Sequence, residues 1–175
     1  MIAIKIAGMI LTLAASSALG LYLSGLPAFR RQDFLEIKKA LLILKSEIEY
    51  AAAPLPEAMA NIATRTKAPV SLIFESFALS LKYNEGGETA YRLWLAAIDE
   101  HKKAGFLKAE DWEIIGNFGK TLGYLDKQMQ IDSIRFTMDY IDSEVLQLQE
   151  SIDKNQRMYR SLGVIAGLLL LVVFW

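Results

Sequence analysis

Apolar residues gather at both ends of this chain, and the segment between them repeats apolar positions every three and four residues. The first apolar stretch runs from Ile6 to Phe29 and the second from Leu162 to Trp175. From Phe34 onward the spacing is that of helices rather than strands, with Phe34, Ile37, Leu41, Leu44, Ile48 and Ala51 in line and Leu35 and Leu42 widening the stripe. This helix should end before Pro54, because the residue ahead of a proline avoids the helical region. Pro56 suits the first turn of a short second helix through Ala58, Met59 and Ile62. Pro69 opens a third, with Val70, Ile73, Phe74, Phe77 and Leu81 on one side, and Asn84-Glu85-Gly86-Gly87 stops it. A fourth is expected over about residues 88–103, with Tyr91, Trp94, Leu95 and Ile98 inward and Gly105 as a C-cap glycine. A fifth is expected over about residues 109–122, with Trp112, Ile115 and Phe118 inward.

The last helix has the most regular pattern. Asp126 is a candidate N-cap, since its carboxylate can accept the free N–H groups of the next turn. Beyond it Ile131, Ile134, Met138, Ile141, Val145, Leu148, Ile152, Asn155, Tyr159 and Leu162 recur by three and four, with no Gly or Pro from Asp126 to Leu162. One helix of about 45 residues, roughly 70 Å long, is the simplest reading. A sustained seven-residue repeat implies a narrow seam on another helix, and the first helix has the same repeat. The expectation is an antiparallel stalk made from these two helices, with the shorter helices at its far end. Asn155, the polar residue in the seam, either faces lipid headgroups or sets register with a partner helix.

The apolar ends gain meaning from the charges beside them. Lys5 precedes the first stretch and Arg30 and Arg31 follow it, while Lys154, Arg157 and Arg160 precede the second. Basic residues accumulate on the cytoplasmic side of membrane helices, so both flanks place the middle segment in the cytoplasm. The expected organisation is a transmembrane helix over 1–29, a cytoplasmic helical bundle over 30–160 and a second transmembrane helix over 161–175. The rival for the first stretch is a signal peptide ending near Ser16 and Ala18. Against it, the apolar run continues through Leu19, Leu21, Tyr22, Leu23 and Leu26, and cleavage would put Lys154, Arg157 and Arg160 on the wrong side. The second stretch rises only about 21 Å against a hydrocarbon core of about 30 Å. Its rival is a buried terminal helix, but Leu-Leu-Leu-Leu-Val-Val-Phe-Trp has no polar stripe.

Composition removes several chemistries. The net charge of the 175-residue chain is −1, and no basic cluster alternates with aromatics, so nothing points to nucleic acid. The chain has no cysteine, which excludes disulfides, thiolate zinc sites and Cys nucleophiles. His101 is the only histidine, and no Glu-x-x-His or H-E-x-x-H pattern accompanies it, so neither a catalytic residue nor a metal or cofactor site is expected. Gly116, Gly119 and Gly123 lack a preceding strand, and Gly119-Lys120-Thr121 lacks the upstream glycine of a P-loop. Carboxylates are plentiful at Glu110, Asp111 and Glu113 and at Asp132, Asp139 and Asp142. The latter three lie off the seam, as a solvated acidic face or a dock for a basic partner. Glu47 and Glu49 straddle the first helix's stripe with the same ambiguity.

The ordered set Glu47-Ile48-x-Tyr50, Pro54-Leu55, Ala58, Pro69-Val70 with Phe74 and Phe77, Phe118-Gly119-x-Thr121-Leu122-Gly123 with Asp126, and Lys154-Asn155-x-x-Met158-Tyr159-x-Ser161-Leu162-Gly163 before Gly167-Leu168-Leu169-Leu170 resembles the stage III sporulation protein AB family. The resemblance implies an all-α fold: a cytoplasmic six-helix bundle like the type II secretion F-domain, with a long C-terminal helix, flanked by two transmembrane helices. It implies a non-enzymatic platform subunit in the trans-envelope complex between mother cell and forespore, in the outer forespore membrane. Its partners would be the secretion-type ATPase, stage III sporulation protein AA, and other membrane subunits of that complex. Self-association stays open. The family offers no catalytic residues, so the candidate residues are interfacial. Asn155, Met158, Ser161 and Gly163 lie where the stalk meets the membrane. Gly163 and Gly167 are spaced as small-xxx-small, or are ordinary transmembrane glycines. Glu47, Tyr50, Gly123 and Asp126 are the candidates on the bundle. The alternative reading is a membrane-anchored sensor or adaptor with a ligand inside the bundle.

Overall fold

A computed structural model describes residues 2–51, 53–123 and 126–174, with side chains described for 22, 25–51, 53–123 and 126–154. The described residues form an all-α fold without strands. The helices are α1 (Ile2–Ser46), α2 (Leu55–Arg65), α3 (Val70–Lys82), α4 (Ala90–His101), α5 (Ala109–Phe118) and α6 (Lys127–Phe174). A π turn, Glu47–Ala51, ends α1 ahead of Pro54, and 3-10 turns at Lys102–Ala104 and Gly119–Thr121 extend α4 and α5. Helix α1 runs through Pro27 without a break, although proline removes one helical hydrogen bond.

The chain divides into two compact units, residues 30–146 and the paired terminal segments 1–29 and 147–175. Residues 147–160, which hydropathy leaves with the bundle, therefore group with the terminal segments. In that terminal unit Leu148 is buried and Gln149 donates to Asp153 at 3.0 Å. Among the described residues no helix is long and apolar enough to cross a membrane. The two apolar stretches fall, apart from residues 22 and 25–29, outside the residues whose side chains are described.

Within residues 30–146 the three-four spacing does what it predicts. Phe34, Ile37, Leu41 and Leu44 from α1 and Ile134 and Ile141 from α6 are buried, as are Met59, Ile62, Ile73, Phe77 and Trp94. Each such side chain contributes about 1.5–3 kcal/mol by leaving water. Trp94 is the centre of the aromatic packing, with ring centroids 5.3 Å from Phe74, 5.3 Å from Phe77 and 6.1 Å from Phe118. Its indole N–H donates to the Ile115 carbonyl at 3.1 Å, which satisfies the one polar atom of a buried tryptophan.

Several expectations are corrected. Helices α1 and α6 are antiparallel neighbours, as Lys38 Nζ to Asp142 Oδ1 at 2.5 Å and Lys127 Nζ to the Glu49 carbonyl at 2.7 Å record. They do not stand as a bare stalk with the short helices beyond them. The Phe106 N–H donates to Asp33 at 2.6 Å, the Lys67 N–H to Glu36 at 3.2 Å, and Arg30 holds Asp111 of α5. The short helices thus pack along α1 from its Arg30 end. The reason is stripe width: Asp33, Glu36 and Ala40 are buried beside the apolar row of α1, and Thr137 beside that of α6, so each helix buries more than a narrow seam. Leu42 and Leu95 face solvent, and Ala97 takes the inward place beside Trp94 and Ile98. Gly105 does cap the turn after α4, but with φ −104°. Its role is space, since a Cβ there would sit 3.0 Å from Asp33 Oδ2 and 3.1 Å from Pro69 Cγ.

Candidate functional site

The strongest electrostatic feature is a buried ion network at the Arg30 end of the bundle. Asp111 occupies the third position of α5, and its carboxylate accepts the Lys108 N–H at 2.7 Å, one arm of a capping box. The same carboxylate receives Arg30 from α1 in bidentate geometry, Nε to Oδ2 at 2.9 Å and Nη2 to Oδ1 at 2.7 Å. The Tyr140 hydroxyl from α6 donates to Oδ1 at 2.8 Å. Arg30 Nη2 also reaches Glu144 Oε2 at 2.6 Å, and its guanidinium lies 5.2 Å from the Phe34 ring centroid. The Asp111 side chain is fully buried.

Burial alone would raise the Asp111 pKa. The Arg30 hydrogen bond, the Lys108 N–H and the Tyr140 hydroxyl outweigh it and hold the carboxyl below the usual range. Burial and the Asp111 carboxylate push the Tyr140 phenol well above its ordinary value, so Tyr140 remains a donor. The Arg30 guanidinium is likewise raised, first by its hydrogen bond to Asp111. With its acceptor positions filled, Asp111 has no free lone pair for substrate. The network joins α1, α5 and α6.

The bundle candidates converge at the opposite end. Tyr50 lies in the π turn and is 84% exposed. Lys127 bonds the Glu49 carbonyl, which brings that turn beside the start of α6. Glu47 accepts from Asn61 of α2, so it is a tie inside the fold. Gly123 has φ +82°, a conformation that favours glycine. Asp126 caps α6, with Oδ1 accepting the Gln128 N–H at 2.9 Å and the Met129 N–H at 3.1 Å. Asp126→Ala should lower stability by about 1 kcal/mol and Asp126→Ser much less; equal losses in urea unfolding would show that capping is not its role. Of these candidates Tyr50 alone is a large exposed side chain. Asn155, Met158, Ser161, Gly163 and Gly167 lie outside the residues whose side chains are described.

Sequence reasoning treated Asp111 as one carboxylate among many and Arg30 as a membrane flank. A signal was present: Asp111, Ile115 and Phe118 are spaced by four and three, which puts a carboxylate on the inward face of α5 and demands a cationic partner. Asp142 does not belong to a free acidic face, because Lys38 pairs with it. His101 is half-buried at the last turn of α4, 3.6 Å from Glu100. Among the described residues no group of three or more His, Cys, Asp or Glu could hold a metal ion. The central void, lined by Ile37, Leu41, Phe74, Trp94, Trp112 and Thr137, is ≈ 10 Å³, too small for an organic ligand.

Against known proteins, the family model described as stage III sporulation protein AB matches residues 5–175. The chain belongs to the stage III sporulation protein AB family. A Bacillus subtilis (strain 168) relative of that name is 28% identical over 170 residues, covering 97% of this chain and 98% of the relative. A solved structure of stage III sporulation protein AB superposes with a TM-score of 0.65 at 26% identity, covering 71% of this chain and 97% of that one. Several residues that carry the family resemblance have structural duties here. Gly119 fits beneath Trp94, Gly123 turns the chain, and Asp126 starts α6.

Proposed function

We propose that this chain is a non-enzymatic platform subunit, fixed to a membrane by both apolar ends, in the trans-envelope sporulation complex. The observation that supports this reading is the Arg30–Glu144 pair at 2.6 Å. It fastens α1 and α6 together where both long helices leave residues 30–146, at one end of that unit. Apolar stretches flanked by basic residues follow in both directions along the chain, and two exits side by side suit entry into one membrane. The opposite end, with exposed Tyr50 beside the Asp126 cap, is then turned toward the cytoplasm and is the face offered to the secretion-type ATPase. The F-domain likeness and the place in the outer forespore membrane belong to the same reading.

The test is crosslinking of tagged full-length protein in sporulating membranes, followed by identification of what is recovered. Co-recovery of the ATPase and small membrane subunits is expected, with Tyr50→Ala reducing the ATPase share while membrane insertion persists. A folded, inserted protein that recovers neither would sink the platform reading and favour the sensor alternative.

A further inference from the structure

The connections at the two ends of residues 30–146 differ in charge. At the Arg30 end Arg65 closes α2, Lys67 follows in the connection 66–69, and Lys102, Lys103 and Lys108 lie in the connection 102–108; neither connection holds an acid. At the other end the connections 47–54 and 83–89 hold Glu47, Glu49, Glu85 and Glu88 and no base, while 119–126 holds Lys120 and Asp126. Lys102 pairs with Asp99 at 2.5 Å. Arg65, Lys67, Lys103 and Lys108 are exposed, and none has an ion-pair partner among the described residues. Three acids at this end are already occupied: Asp33 accepts the Phe106 N–H, Glu36 the Lys67 N–H, and Asp111 holds Arg30. Exposed Glu110, in the first turn of α5, is a partial counterweight. Helix dipoles explain part of the pattern, since they favour cations at the C-termini of α2 and α4. They do not explain Lys108, which stands at the N-cap of α5, where a dipole disfavours a cation.

We infer that these two connections form a basic cap that binds the anionic phospholipid surface around the entry point of the chain. The inference rests on the reading that both apolar ends enter one membrane. The bonds from Asp33 and Glu36 set the height of the cap on α1. At about 1.5 Å per residue, Asp33 lies about 4.5 Å and Glu36 about 9 Å along the axis from Arg30. Both connections thus sit within about one Debye length, roughly 8–10 Å, of the level at which α1 leaves residues 30–146. An anionic leaflet attracts basic residues over that distance, and each Lys or Arg close to it shifts the contact equilibrium by about fivefold. Phe106, 39% exposed between Lys103 and Lys108, offers an apolar side chain to the headgroup boundary. A lipid surface is favoured over an acidic protein because both connections lie at the height of the helix exits, where that surface is adjacent. Contact there steadies the tilt of residues 30–146 and keeps the acidic connections, with Tyr50, turned outward.

The chain has no cysteine, so one engineered thiol carries a single dye. Full-length Ala104→Cys is labelled and placed in nanodiscs of phosphatidylcholine with and without phosphatidylglycerol. Ala104 is exposed within the cap. Gly86→Cys is the control at the other end, where an added Cβ meets nothing within 4 Å. Phosphatidylglycerol should lower quenching of the dye at 104 by neutral acrylamide about twofold or more, and leave the dye at 86 unchanged. Salt at about 0.5 M should abolish the shielding of the unaltered cap, since the Debye length falls to about 4 Å. Lys67→Glu, Lys103→Glu and Lys108→Glu together should abolish it in a chain of unchanged circular dichroism. No response to phosphatidylglycerol at 104, an equal response at 86, or shielding that survives salt overturns the cap. A dye at 104 that is shielded only in native membranes also overturns it, and assigns the surface to an acidic protein. Carbonate extraction of cell membranes reads the anchor separately. A retained chain without shielding loses the cap and keeps the anchored reading, whereas a chain released by carbonate but shielded by phosphatidylglycerol keeps the cap and loses the anchor.

Discussion

Replacing Asp111 by alanine is expected to destabilise the bundle by about 3–5 kcal/mol, the usual cost of leaving one half of a buried ion pair unpaired. The loss exceeds that of an ordinary surface carboxylate because Asp111 satisfies Arg30, Tyr140 and the Lys108 N–H at once. Without it the Arg30 guanidinium, 12% exposed, retains only Glu144 among these partners. Urea unfolding of the full chain in detergent reads the difference. A shift below about 1 kcal/mol, the range of an exposed pair, would show that the network is not integral to the fold.

The same residue has a pH signature. Burial, which would raise the Asp111 pKa, is outweighed by Arg30, Lys108 and Tyr140, so its folded value lies below the unfolded one near 3.9. Its stabilisation is therefore present above that unfolded value and lost as pH falls through the folded one. Asp33 has the opposite sign. Burial, partly offset by the Phe106 N–H, raises its pKa, so it costs stability at neutral pH and returns it as pH falls toward about 3.9. The deficit of Asp111→Asn relative to the parent should shrink below about pH 4. A deficit that stays constant or grows in acid would contradict the assignment.

Gly119→Ala should be nearly as damaging. A Cβ at Gly119 would lie 2.1 Å from Trp94 Cδ1 and 2.8 Å from Cγ. Trp94 cannot retreat, because Phe74, Phe77 and Phe118 surround its ring and the Ile115 carbonyl holds its N–H. Overpacking of this kind costs about 3 kcal/mol, or roughly 10 °C in Tm for a domain of this size. Gly116→Ala is the internal control. Its Cβ would be 3.0 Å from Leu95 Cδ2, the far end of an exposed side chain that can swing aside, so a loss of about 1 kcal/mol or less is expected. Equal Tm values for the two variants would remove the argument from Trp94.

The glycine pair shows where sequence reading stops. Gly116, Gly119 and Gly123 are conspicuous as a set, and their spacing first suggests a phosphate loop. Packing gives them separate reasons: Leu95 above Gly116, Trp94 above Gly119 and a positive φ at Gly123. The first two of those reasons are not local in sequence, since Leu95 and Trp94 lie on α4. Asp126 is the opposite case. A cap bonds its own next turn, so its role is legible from the residues that follow it.

The sequence by itself determined the helical class, the order and approximate ends of the helices, the α1–α6 pairing and the membership of a sporulation family. Those follow from periodicity, prolines and caps, which act over a few residues, and from an ordered set of motifs. Only the tertiary structure decided that Asp111 is the buried partner of Arg30, Tyr140 and Lys108, that the short helices lie along α1, and that Leu42, Phe136 and Leu146 remain uncovered. Those outcomes depend on which distant faces meet. A three-four pattern states that a helix has an inward side, but not how many neighbours share it or which charge waits there.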